Sequence, residues 1–224
     1  MGNTTELTLP ADYKGENYTI GADAFKGNTT ITSVVIPNRV TSIGDYAFYC
    51  CTGLTSIEIP NSVTSIGNSA FNGCTGLTSV EIPNSVTSIE YAAFYGCSNL
   101  ETIYISSAIE SIGNEAFAGC EKIKEIKIGL EKPIRGAANI FADTVYDNAV
   151  LYVPTGTKSL YEKREPWNLF FDIVEMNFTG IDEVLDEVKS EIGKVKTIYD
   201  FQGRKVDTTN KGVYIINGKK VLIK

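Results

Sequence analysis

Histidine is absent from all 224 residues. That removes the usual general base, the usual partner of a nucleophilic serine or cysteine, and the commonest metal ligand. Catalysis would fall to carboxylates alone. No apolar stretch approaches the length of a membrane span, so no insertion into a bilayer is expected. The first ten residues, MGNTTELTLP, hold neither a basic run nor an apolar core, and no secretory signal is read there. Cations are scarce: between Ile20 and Ser111 only Lys26 and Arg39 are positive. Net charge is −7, with 11 Lys+Arg against 20 Asp+Glu in residues 1–177 and 9 against 7 in residues 178–224. Such a surface repels phosphate backbones, and nucleic acid is not an expected partner. The plainest role of the acidity is solubility.

Against these absences stands one strong regularity. Isoleucines recur at Ile20, Ile43, Ile66, Ile89 and Ile112, 23 residues apart, and open the same phrase, fullest as IGNSAFNGCTGLTSVEIPNSVTS from Ile66 to Ser88. A fixed period of this size predicts a solenoid, in which each repeat buries its apolar side chains against its neighbours. Hydrophobic residues make up 43% of the chain, enough for a continuous core.

Each repeat reads in three parts. The phrase A-F-x-G-C pairs a small residue with a large aromatic and then a glycine suited to a tight turn. Its phenylalanines, Phe25, Phe48, Phe71, Phe94 and Phe117, are expected to stack along the core, the main source of stability. A short strand follows, Leu54 to Pro60 in the second repeat, with Leu54, Ile57 and Ile59 facing inward. Proline ends the pairing at Pro37, Pro60 and Pro83, since it offers no donor. A second extended piece then turns Val63 and Ile66 inward. Stacked, the first strands make one parallel sheet. One outward row reads Ser33, Ser56, Ser79, Thr102, Glu125, and another Val35, Glu58, Glu81, Tyr104, Lys127. Thr41, Thr64 and Thr87 form a third exposed row.

Four of the five cysteines keep the period: Cys51, Cys74, Cys97 and Cys120, with Asn28 at the matching place in the first repeat. A position that takes Cys or Asn once per coil predicts a ladder of small side chains serving backbone groups in the bend, here buried free thiols. A linear stack does not converge on a zinc ion, so neither a metal site nor any other cofactor is expected. Cys50 replaces the glycine found at Gly27, Gly73, Gly96 and Gly119 and is expected to be exposed.

The ends differ. Leu7 to Pro10 mirrors the strand phrase and reads as a half repeat. After Ile128 the register breaks; a loop with Ile140 and Phe141 leads to a strand phrase at Leu151–Pro154 and a short helix at Thr157–Glu165. Trp167, Phe170, Phe171, Ile173 and Val174 are expected to cap the open end of the solenoid. From about Phe178 the character changes. Residues 180–192 read as a linker or short helix, and the remainder as a small β module with a hairpin turn at Asn217-Gly218. The division is therefore a capped solenoid over 1–177 and a small β domain over 178–224.

The A-F-x-G-C phrase with L-x-S-I-x-I-P-x-S-V-T-S, over roughly residues 5–176, resembles the BspA-like leucine-rich repeats of Bacteroides-type and treponemal surface proteins. The resemblance implies a mainly β, leucine-rich-repeat solenoid, secreted or at the outer cell surface, that adheres to host matrix or plasma proteins such as fibronectin and fibrinogen, or to other bacteria. It carries over no fixed ligand motif. The tail, through Tyr199 to Arg204, Lys211 to Tyr214 and Asn217 to Lys220, resembles the C-terminal sorting-type β domain of the same phylum, which implies a part in export and surface attachment.

From these readings we expect a non-catalytic, monomeric module that binds extracellular proteins or glycans. Its candidate surface is the strand face: Ser56, Glu58, Ser79, Glu81, Thr102, Tyr104 and Lys127. Two alternatives use the same features. A structural spacer would explain the near identity of neighbouring repeats, and a glycosidase would use Glu58 and Glu81 as paired carboxylates, for which a small strand face offers no deep cleft.

Overall fold

The computed structural model describes residues 5–178 in full and the backbone of four further strands between residues 198 and 223. In chain order the strands are β1 (Thr5–Thr8), β2 (Tyr18–Ile20), β3 (Ile31–Val35), β4 (Val40–Ile43), β5 (Ser56–Glu58) and β6 (Ser65–Ile66). They continue as β7 (Ser79–Ile82), β8 (Ser88–Ile89), β9 (Thr102–Ile105), β10 (Ser111–Ile112) and β11 (Glu125–Ile128). The C-terminal part of the solenoid adds α1 (Asp143–Asn148), β12 (Val150–Pro154), α2 (Lys158–Tyr161), a 3-10 turn at Trp167–Leu169 and β13 (Asp172–Met176). Two compact units result, Met1–Met176 and Asn177–Lys224.

The first unit is a stack of coils in which like residues sit one above another. Odd-numbered strands from β1 onward, then β12 and β13, form the front; β2, β4, β6, β8 and β10 form a second parallel sheet. Registers follow the period, with Ser79 opposite Thr102, Glu81 opposite Tyr104 and Tyr104 opposite Lys127. One expectation changes here: the front is two sheets. β1-β3-β5 and β7-β9-β11-β12-β13 are separate ladders, divided between the second and third coils. At this division Ile57 is half-buried, whereas its equivalents Val34, Val80 and Ile103 are buried.

The third side of each coil is built from turns, and its hydrogen bonds explain the A-F-x-G-C phrase. The phenylalanine N–H groups donate forward, Phe48 to Ala70 and Phe71 to Ala93, each at 2.7 Å. The cysteine thiols donate backward to the phenylalanine carbonyls of the preceding coil: Cys51 to Phe25, Cys74 to Phe48, Cys97 to Phe71 and Cys120 to Phe94, at 3.0–3.2 Å. All five cysteines are free; four are buried, and Cys50, expected to be exposed, is half-buried. Asn28, which has no such coil before it, acts differently: its Oδ1 accepts from the N–H groups of Thr30 and Ile31 inside its own turn. Asn and Cys thus share a place without sharing a bond.

Two columns on this side adopt left-handed backbone. Gly27, Gly73, Gly96 and Gly119 have φ between 67° and 73°, and Cys50 stands in the same column at 55°. Asp23, Tyr46, Ser69, Ala92 and Glu115, four residues earlier in each coil, also have φ between 51° and 60°. Here left-handed geometry is imposed by the coil-to-coil bonds and not by glycine.

Inside, the phenylalanines stack as expected. Phe25, Phe48, Phe71, Phe94 and Phe117 succeed one another at 5.0–5.2 Å between ring centroids and within 17° of parallel. The column does not stop there: Phe141 continues it at 5.5 Å and 12°. The rings then turn edge-on, Tyr146, Trp167 and Phe170 meeting Phe141 at interplanar angles of 64–89°, which ends the stack. The indole N–H of Trp167 donates to the carbonyl of Ile134, and the Tyr161 hydroxyl to that of Leu130.

The cap therefore includes Trp167, Phe170 and Ile173, all buried, but not two residues assigned to it from sequence. Phe171 is 88% exposed and Val174 is on the outer side of β13. The reason is strand alternation: Ile173 lies opposite Leu151 and points in, so Val174, opposite Tyr152, points out. The helix expected over Thr157–Glu165 is the shorter α2, and β13 adds a strand that sequence reading did not anticipate.

The second unit is an antiparallel sheet of β14 (Ile198–Asp200), β15 (Lys205–Val206), β16 (Gly212–Ile216) and β17 (Lys219–Ile223), in the order β15-β14-β16-β17. β16 and β17 pair as a hairpin with Ile216 opposite Lys219. The Asn217-Gly218 turn and the linker or helix at 180–192 lie outside the described residues.

Candidate functional site

The seven residues singled out on the strand face fall into two groups. Ser56 and Glu58 stand on β5, in the first front sheet. Ser79, Glu81, Thr102, Tyr104 and Lys127 stand in the second, on β7, β9 and β11. Ser56, Glu58, Ser79 and Glu81 are exposed, with only hydroxyls and carboxylates to offer. Thr102, Tyr104 and Lys127 are half-buried.

The register extends the second row beyond what sequence reading included. After Glu81, Tyr104 and Lys127 it continues through Tyr152 to Val174. Lys127 lies with its Nζ 5.8 Å from the centroid of the Tyr152 ring and 2.9 Å from Glu125 Oε2. A cation held against an aromatic face and a carboxylate is partly ordered before any ligand arrives. The signal was present: Leu151-Tyr152-Val153-Pro154 has the same apolar-outward-apolar spelling as Ile126-Lys127-Ile128. The irregular spacing after Ile128 hid the alignment. Beside this row Lys124 pairs with Glu101 at 2.9 Å, a solvent-facing contact of little energetic weight.

Glu58 and Glu81 are both exposed and belong to different ladders. Among the described residues no three His, Cys, Asp or Glu groups converge to hold a metal ion, and no helix is long and apolar enough to cross a membrane.

The turn side carries the exposed aromatics. Lys26 Nζ lies 5.1 Å from the Tyr46 ring centroid, 5.6 Å from that of Tyr49 and 2.8 Å from Asp23. The hydrogen bond to Asp23 is the main cause of the raised Lys26 pKa. Further along, the Tyr91 hydroxyl donates to Glu115 Oε2 at 2.9 Å, which raises the tyrosine pKa. Sequence reading assigned these tyrosines no role.

A parallel solenoid with 23-residue coils and a stacked phenylalanine core defines a class: the repeat proteins whose coils bury their apolar side chains against one another. The family model described as BspA type leucine rich repeat region matches residues 18–144 in six copies, and the chain belongs to that family. A leucine-rich repeat protein of Treponema pallidum is similar at 22% identity over 73% of this chain and 85% of that one, with a TM-score of 0.56. A leucine-rich repeat protein of Bacteroides ovatus is 28% identical over 66% of this chain and 47% of that one, at TM-score 0.51. The pneumococcal vaccine antigen PcpA shares the fold at 20% identity over 78% of this chain, at TM-score 0.59, and this chain spans 42% of it. A search of curated proteins finds no match.

Proposed function

We propose that the solenoid is a non-catalytic binding module of a secreted or surface-exposed protein, adhering to an extracellular protein through the C-terminal half of its strand face. The observation that carries this reading is the change in the second outward row. It passes from Glu58 and Glu81, exposed and small in reach, to Tyr104, Lys127, Tyr152 and Val174. Tyrosines on a rigid sheet are among the residues that the centres of protein interfaces favour, and Lys127 adds at their side a cation already held by Glu125 and Tyr152. The family supports a surface location, and the antiparallel C-terminal unit serves export or attachment in this reading.

The test is biolayer interferometry of the purified chain against fibronectin, fibrinogen, collagen and mucin at low and physiological salt. Saturable binding that falls at least tenfold in Tyr104→Ala/Lys127→Ala/Tyr152→Ala, and less in Glu58→Ala/Glu81→Ala, is the expected result. Equal binding by the triple variant would move the interface off this face. Silence toward every ligand would favour a spacer, the reading to which the near identity of TGLTSIEIPNSVTSIGNSAF and TGLTSVEIPNSVTSIEYAAF lends weight.

A further inference from the structure

The turn side holds one column of residues at the place before the left-handed glycine: Lys26, Tyr49, Asn72, Tyr95 and Ala118. Up to Tyr95 every member is a long or planar side chain. At Ala118 the column shrinks to a methyl group, and beyond it the chain abandons the 23-residue register on its way to Phe141. The two events leave a depression of about 480 Å³. It is lined by buried Phe141, half-buried Ala118 and Glu115, and exposed Tyr95, Asn139 and Asp143.

Size and chemistry narrow the occupant. The depression is open to solvent and not an enclosed cavity, with room for a single small ligand unit lying against its lining. One wall is the Tyr95 ring, 42% exposed and held on a rigid turn whose neighbouring N–H groups are bonded to the next coil. Planar polar groups line the same depression: the Asn139 amide and the carboxylates of Asp143 and Glu115, the last accepting the 2.9 Å bond from Tyr91. No lysine or arginine lines the depression, and two carboxylates do, so an anionic ligand is repelled. An aliphatic peptide side chain would leave those carboxylates desolvated and unpaired, at a cost.

A neutral pyranose suits all of these groups. One of its faces is a patch of C–H bonds that lies on an aromatic ring, while its edge presents adjacent hydroxyls to a planar amide or carboxylate that takes two at once. We propose that this depression binds a neutral hexose unit of a glycan, stacked on Tyr95 and hydrogen-bonded by Asn139, Asp143 and Glu115. The site is separate from the strand face and does not depend on the reading given for it.

The experiment is an array of neutral, sialylated and sulfated glycans probed with the full chain, followed by ligand-observed NMR titration with the methyl glycosides of the retained terminal sugars. Retention of neutral glycans is expected. Tyr95→Ala should weaken binding about tenfold, because it removes the aromatic face on which the sugar stacks. Ala118→Tyr should weaken it as much by filling the depression with the residue the same column carries at Tyr49 and Tyr95. Should Ala118→Tyr fail to fold, exposed Asp143→Asn takes its place. Tyr13→Ala, on an exposed tyrosine elsewhere, should bind as the parent does, and so should the Tyr104/Lys127/Tyr152 variant. A blank array, a preference for acidic glycans, displacement by peptides instead of sugars, or undiminished binding by Tyr95→Ala would overturn the proposal.

Discussion

Cys50 shows how much one position in a periodic chain can reveal. The column it interrupts is glycine in four other coils, and its φ of 55° explains why. A side chain in left-handed geometry costs about 1–2 kcal/mol, part of which glycine returns as unfolded-state entropy. Cys50→Gly should therefore raise stability by about 1 kcal/mol, read as a higher urea midpoint at unchanged slope. The other thiols are different in kind. Burial is the leading cause of the raised pKa at Cys51 and Cys74, and the Cys120 hydrogen bond is at Cys97. Thiolate is the reactive form, so a disulfide reagent should modify Cys50 in the native protein and the remaining four only as the coils open. Modification of Cys74 at native rates would mean that the ladder is not closed. The sequence revealed this column because glycine marks it. The companion column through Tyr46 and Ala92 is equally left-handed, yet five unlike residues occupy it, and no residue type announces the geometry.

At the level of elements, the phenylalanine stack should dominate the energetics. Phe71 is enclosed by rings on both sides, so Phe71→Ala is expected to cost about 3–5 kcal/mol by urea unfolding. Phe25 has one stacking partner and is half-buried, and Phe25→Ala should cost markedly less. The stack, the strands and the inward isoleucines were legible because a 23-residue period repeats each signal five times. Legibility failed where the period did. Phe141 follows Phe117 by 24 residues and Ile140 replaces the usual alanine, so the sixth ring looked like loop. Phe171 and Val174 were apolar and near Trp167, but composition cannot say which way a strand residue points once the register is lost. The strand face was half visible for the same reason: Tyr104 and Lys127 lay in the regular part, and Tyr152, which completes their row, lay beyond it. The division between β5 and β7 left no trace, because those coils are nearly identical in sequence.

For the solenoid as a whole, the missing histidines set the response to pH. No side chain has an ordinary pKa between about 5 and 8, and the stability of this unit should be nearly level there. The groups that matter lie above. Burial pushes Tyr146 up to about 12 from 10.0, and raises Tyr161 and the Cys74 thiol as well. A folded-state pKa above the unfolded one contributes stability that is fully present below the unfolded value and is lost as pH climbs through the folded one. For the thiols that loss begins near 9.0 and for the tyrosines near 10.0. Urea midpoints should hold steady through neutral pH and fall from about pH 9 upward. A midpoint that fell first below pH 8 would contradict this.

The coil-to-coil bonds have a consequence for heredity. In the regular coils each stacked ring meets its counterpart one period away, and each coil-to-coil hydrogen bond and thiol contact recurs at a fixed offset, with no regard to which coil it is. Unequal recombination between near-identical repeats removes whole coils and preserves the reading frame. Deleting residues 67–89 would set Phe48 against Phe94 and Cys97 beneath the Phe48 carbonyl, and a shorter solenoid should fold. A deletion one residue longer or shorter has no such partner to meet. The length of the strand face is in this sense a number that a lineage can change one coil at a time.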